Sequence, residues 1–208
     1  MDLKTYLQEV ALQEMTVLLK EGLSGFALVR KLESIKDPKQ TFDYLNRTLG
    51  HPKQGGQARV TYPLDKGMVI KFAYDGAYDQ NESEVRNSLC LGPDYAVSVI
   101  HHHPEFWWLV EERVEIFHNP NDFNEALFKV VGIRLTGAFD FPDAIQCEIH
   151  EKISDKAAHI NEELKQSPWY QELITRLKRC NVAARDFTYA NWGIRSSSGE
   201  LVLLDLGF

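Results

Sequence analysis

Apolar residues recur at helical spacing through the first fifty positions. Leu3, Tyr6, Leu7 and Val10 form one stripe that Met15, Leu18 and Leu19 continue, predicting a helix from Asp2 to about Lys20. Gly22 and Gly25 interrupt it. A helical piece from Phe26 to Ile35 follows, and Asp37-Pro38 supply the cap and first-turn residue of another helix ending at Gly50, with Phe42, Leu45 and Leu49 on its stripe. The period then drops to two. Gln57 to Leu64 alternates as a strand, Asp65-Lys66-Gly67 turns, and Met68 to Ala73 returns as a second strand. Alternation sets Val69, Lys71 and Ala73 on one face and Ile70 and Phe72 on the other. A lysine among apolar neighbours in a strand needs a partner, or an edge position from which it reaches water.

A helix from about Gln80 to Leu91 comes next, with Asp79 and Glu82 at capping-box spacing and Gly92-Pro93 as its stop. Tyr95 to Ile100 and Phe106 to Val110 read as strands joined by an exposed turn, His101-His102-His103-Pro104. Neighbours on a strand point to opposite faces, so at most His101 and His103 could converge, and two ligands do not make a zinc site. Three helical stripes follow: Asn119-Pro120 to Val131, Pro142 to Leu164, and Ser167-Pro168 to near Asn181. The chain closes on a short hairpin, Trp192 to Arg195 and Leu201 to Leu204, turning through Ser196 to Gly199. Asn191 and Asp205 are equally far from Ser198, which predicts that both lie at the open end of the hairpin. Asp186 sits five residues before Asn191 on the entering loop. Hard oxygen ligands of this kind suit Mg²⁺. Taken singly, each has a plainer role: Asp186 capping a turn, Asn191 starting a strand and Asp205 ending one.

Composition narrows the function classes. With 208 residues, 44% of them hydrophobic, the chain holds enough apolar material for one good core or two small lobes sharing a cleft. A net charge of −7 argues against a nucleic-acid partner, which needs a surplus of Lys and Arg on one face. Cys90, Cys147 and Cys180 are widely spaced and odd in number, so neither a disulfide framework nor a zinc cluster is expected, in keeping with a reducing cytoplasm. No signal pattern opens the chain and no apolar run is long enough for a bilayer, so no membrane partner is expected.

The pattern Asp186-x-x-x-x-Asn191 followed by Asp205-Leu206-Gly207 resembles the catalytic loop and metal-binding turn of the protein kinase-like superfamily, which includes small-molecule kinases such as the aminoglycoside phosphotransferases. The resemblance spans roughly Gly50 to Phe208. It implies an α+β, two-lobe protein kinase-like fold. Residues 1–50 would be a helical extension, 51–114 the β-rich small lobe and hinge, and 115–208 a reduced helical lobe. It also implies ATP and Mg²⁺ as cofactors. Asp186 would receive or orient an acceptor hydroxyl, and Asn191 and Asp205 would hold Mg²⁺ on the phosphates. Lys71 would bind the α- and β-phosphates and Val69 would line the adenine pocket. Leu109 to Val114 resembles the hinge, where the Glu112 carbonyl and the Val114 amide would bind the adenine edge. A glutamate from the helix after the lysine strand would pair with Lys71. Glu82 and Glu84 are the candidates: capping-box spacing gives Glu82 another job, whereas helical phase groups Glu82 with Val85 and Leu89.

The chain departs from the family in three further ways. Gly55 and Gly56 are the nearest match to a phosphate-covering loop, but with Gly50 they do not fit G-x-G-x-x-G. Ala184-Arg185 stands where His-Arg is usual. The chain stops one residue after Asp205-Leu206-Gly207, so no activation segment or acceptor platform is expected, and a homodimer could supply the missing wall. Three functions compete: a small phosphotransferase acting on a hydroxyl of a protein or small molecule, a nucleotide-binding pseudokinase that acts by binding a protein partner, and a nucleotidyl transferase.

Overall fold

The computed structural model describes residues 23–50, 52, 54–55, 58–64, 67–74, 76–137, 139–150, 155–182 and 187–207. The helix expected over Asp2 to Lys20 lies outside them, as do Gly56 and Asp186. The chain is α+β and divides into two compact units, Met1–Val85 with Ser98–Arg113, and Arg86–Val97 with Val114–Phe208. One unit is β-rich and the other largely helical.

The first unit is built on five antiparallel strands in the order β1-β2-β3-β5-β4. These are β1 (Gln54–Gly55), β2 (Arg59–Pro63), β3 (Met68–Ala73), β4 (Val99–His102) and β5 (Trp108–Glu112). Residues opposite one another across antiparallel strands share a face. The register Val60↔Phe72 and Ile70↔Val110 therefore collects an apolar set on one side of the sheet. Helices α1 (Leu23–Ser34) and α2 (Pro38–Leu49) bury Leu28, Leu32 and Leu45 in the same cluster. Helix α2 starts as the sequence predicts, with the Asp37 carboxylate accepting from the Gln40 amide at 2.8 Å. Gly25 does not break a helix; it is buried inside α1.

Two expectations in this unit are corrected. Strand β4 includes His101 and His102, and His103 is buried beyond it, its ring stacked on Trp107 at 4.1 Å. An exposed histidine turn is thus wrong: Phe106 and Trp107 stack on the rings of His102 and His103, and Trp108 packs against His101 at a tilt. Helix α3 (Tyr78–Leu91) begins ahead of the cap that the spacing predicted, so Asp79 lies inside its first turn and Glu82 is exposed.

The second unit holds the end of α3, the helices α4 (Pro120–Val131), α5 (Asp140–His150), α6 (Asp155–Leu164) and α7 (Pro168–Arg179), and a three-stranded sheet. That sheet is β6 (Glu115–Ile116), β7 (Trp192–Ile194) and β8 (Leu201–Leu203), in that order. Asn119 and Ser167 cap α4 and α7 as read from the sequence. Phe123, Phe141, Tyr170, Leu173 and Trp192 pack the centre of the unit. The single helix expected over Pro142 to Leu164 is instead two. Glu148 of α5 accepts from Asn161 of α6 at 2.8 Å and from Lys178 of α7 at 2.9 Å, so the pieces lie side by side. The apolar period ran on past Asp155, an acidic residue that opens the second helix.

The cysteine expectation is also overturned. Cys90, at the end of α3, is bonded to Cys180, just past α7 and 90 positions along the chain. Cys147 is free. A pairing made by tertiary packing over that distance leaves no spacing signal, and with it goes the support the cysteines lent to a reducing compartment. Among the described residues, no helix is long and apolar enough to cross a membrane.

Candidate functional site

Strand β3 is central, flanked by β2 and β5, so Lys71 has no edge from which to reach water. Its register partners are Thr61 and Leu109, while Arg59 lies opposite Ala73 and Glu111 opposite Val69. By alternation Arg59, Val69, Lys71 and Glu111 all occupy the face away from the α1 and α2 core. The first half of α3 buries Asn81, Glu84 and Val85. Glu84 is fully buried and supplies the carboxylate that Lys71 needs: Nζ donates to Oε1 at 2.6 Å. Its other oxygen accepts from Arg59, which also reaches Asn81. Glu82 is exposed, so the partner of Lys71 is Glu84. The phase argument for Glu82 fails because Leu89, its supposed face-mate, is itself exposed at 40%.

A second carboxylate joins the cluster. Glu111 Oε1 lies 2.9 Å from Lys71 Nζ, and Glu111 is 3% exposed. Its Oε2 is buried without a hydrogen-bond partner among the described residues. The two carboxyls are driven apart by their surroundings. Burial alone would raise Glu84, but Lys71 and Arg59 reverse this and hold it down at about 2. Burial pushes Glu111 up, Glu84 adds to the rise, and Lys71 offsets only part of it, leaving it at about 7. Sequence reasoning missed Arg59 and named Glu111 only as part of a hinge-like stretch. The signal was present as strand parity, but using it required the register between three strands.

Glu112 turns the other way on β5, its carboxylate accepting from the Ser98 amide at 2.7 Å. Arg113, next along, donates its amide to the Gly67 carbonyl at 2.8 Å. Gly55 lies in β1, paired with Val60. Val114 belongs to the other unit, where it packs against Gly193 of β7: a Cβ on that glycine would come within 2.5 Å of Val114 Cγ2.

In the second unit the hairpin register differs by one from the expectation. Trp192 pairs with Leu203, and the Asn191 carbonyl accepts from the Leu204 amide at 2.8 Å. Leu204 therefore stands opposite Asn191, and Asp205 follows one residue later at the same end of the hairpin. The turn is centred between Ser197 and Ser198 rather than on Ser198, which accounts for the offset. Asp205 is exposed and left-handed, with φ of 53°, a conformation Asp tolerates better than most residues. Asn191 closes a 3₁₀ turn, Tyr189–Asn191, and its Oδ1 accepts from the Thr188 hydroxyl at 2.9 Å. Behind Asp205, the buried Asn87 side chain donates to the Leu206 carbonyl at 2.8 Å. Asn191 and Asp205 offer the hard oxygens that Mg²⁺ prefers, and the Thr188 bond fixes which way the Asn191 carbonyl oxygen is turned.

No family model and no curated protein matches the sequence. One solved structure that it resembles is the streptomycin–ATP–APH(2'')-IIa ternary complex, at 11% identity over 83% of this chain and 71% of that one, with a TM-score of 0.38. A likeness of that degree carries no argument about fold or activity.

Proposed function

We propose that the chain is a kinase-like phosphotransferase that binds Mg·ATP and moves the γ-phosphoryl group to a hydroxyl. What supports the reading is the Lys71–Glu84 pair: a buried lysine on a central strand, oriented by a helix glutamate at 2.6 Å. Burying an ion pair seldom stabilises a fold relative to an apolar replacement, so a charge held in such a place suits a binding or catalytic task. The sequence pattern Asp186, Asn191 and Asp205 supports the same chemistry. The three-part division at 50 and 114 belongs to this reading.

In the reaction Lys71 steadies the α- and β-phosphates through its ammonium, and Glu84 keeps that ammonium in place. Asn191 and Asp205 would hold Mg²⁺, which would supply charge neutralisation on the phosphates. On this reading Val69, the Glu112 carbonyl and the Val114 amide would hold the adenine, and Gly55 and Gly56 would be the glycines assigned to the phosphates. Asp186 orients the acceptor hydroxyl and accepts its proton as the oxygen attacks the γ-phosphorus. The bond to the β-γ bridging oxygen breaks, and ADP leaves.

Calorimetry of Mg·ATP binding, with γ-labelled phosphate followed in the same samples, tests this. Wild type should bind and move label, Asp205→Ala should lose Mg²⁺-dependent binding, and Asp186→Ala should bind without transfer. Binding without transfer in the wild type would point to a pseudokinase. No binding at all would end the reading.

A further inference from the structure

One atom of the Lys71 cluster lacks a partner. Glu111 Oε2 is buried with no donor among the described residues, although Oε1 of the same group meets Lys71 at 2.9 Å. A carboxylate oxygen in that position costs free energy until a proton or a donor reaches it. The charged groups facing Glu111 are Lys71 from β3, Glu84 from α3 and Arg59 from β2. On its own strand Glu112 is engaged with the Ser98 amide.

An anionic ligand at Lys71 adds negative charge beside two carboxylates, Glu84 and Glu111, and one of them can offset it by taking a proton. Glu84 is the poor candidate, because both its oxygens are held by cations. Glu111 has one cation and one bare oxygen.

We propose that binding of a phosphate ester at Lys71 is coupled to uptake of one proton at Glu111, making it a positioning residue that hands the Lys71 ammonium over to the ligand. The inference rests on the reading of Lys71 as the phosphate-binding lysine. The proton comes from solvent or buffer acid and converts the carboxylate to a carboxylic acid. No other bond changes. The acid can then donate through the oxygen that was bare, while Lys71 keeps its bond to Glu84. Burial has already placed the free Glu111 carboxyl near neutrality, so little is needed to protonate it.

The test is calorimetric titration of the full chain with Mg·ADP and Mg·ATP in two buffers of unlike ionisation heat, from pH 6.5 to 8.5, in excess Mg²⁺. The wild type should take up on the order of half a proton or more per nucleotide at pH 7.5, and its Kd should weaken with rising pH by up to about tenfold per unit. Glu111→Gln should show no uptake at that site and a flat pH profile. The wild-type pair of buffers needs no variant, so a poorly folded Glu111→Gln does not block the test. Equal heats in both buffers, or the same uptake in Glu111→Gln, overturns the coupling and leaves phosphate binding standing. Absence of nucleotide binding in the wild type overturns both.

Discussion

Lys71 donates to Glu84 at 2.6 Å, joining the middle of the central strand to a helix thirteen residues on. Because Glu84 also serves Arg59, two cations share this one carboxylate. Glu84→Gln should lower stability by about 3–5 kcal/mol in urea titration at pH 7. Glu82→Gln, on the exposed side of the same helix, should stay within about 0.5 kcal/mol. Equal effects of the two would mean the shared carboxylate is not what orders this cluster.

The two carboxyls give opposite pH dependences. Glu84 is depressed from 4.5 to about 2, so its contribution is present above pH 4.5 and is lost as pH falls toward 2, on the order of 3 kcal/mol in all. Glu111 is raised from 4.5 to about 7, so folding loses stability at that group as pH climbs from 4.5 to 7. Glu111→Gln should therefore gain on the wild type across that window and hold a constant margin above it. Urea midpoints at pH 4.5, 6 and 8 measure the difference; a margin that does not grow would mean the Glu111 carboxyl is not displaced.

How far the sequence led depended on the range of the signal. Local ones worked: Asp37-Pro38, Asn119-Pro120 and Ser167-Pro168 each mark a helix start that the structure reproduces. Strand alternation put Lys71 on the correct face. What failed needed a partner distant in sequence. The Cys90–Cys180 bond and the addition of Arg59 and Glu111 to the lysine are both set by register and packing. The hairpin offset shows the limit at close quarters: a turn centre misplaced by half a residue moved Asn191 from Asp205 to Leu204.

Gly193 has no room for a side chain. A Cβ there would lie 2.5 Å from Val114 Cγ2 and 3.0 Å from the Glu115 carbonyl oxygen, and the backbone atom cannot swing aside as a side chain does. Gly193→Ala should cost about 1–3 kcal/mol, read as a lowered thermal midpoint. Shortening the neighbour with Val114→Ala should recover part of it, and an unaffected Gly193→Ala would contradict the packing.

At Asp205, backbone and carboxylate can be tested apart. Its φ of 53° is one that glycine adopts freely. Asp205→Gly should keep stability within about 1 kcal/mol of the wild type while abolishing Mg²⁺-dependent nucleotide binding. Retained binding in calorimetry would remove Asp205 from the metal site.

The bond between Cys90 and Cys180 makes the middle of this chain a covalent ring. A protease that cuts once inside the ring opens a loop but releases nothing, and the nicked molecule keeps its full mass until it meets a reductant. Damage to this stretch would thus be silent in an oxidising setting and become fragmentation in a reducing one, so the chain's tolerance of a single cut is set by its surroundings as much as by its fold.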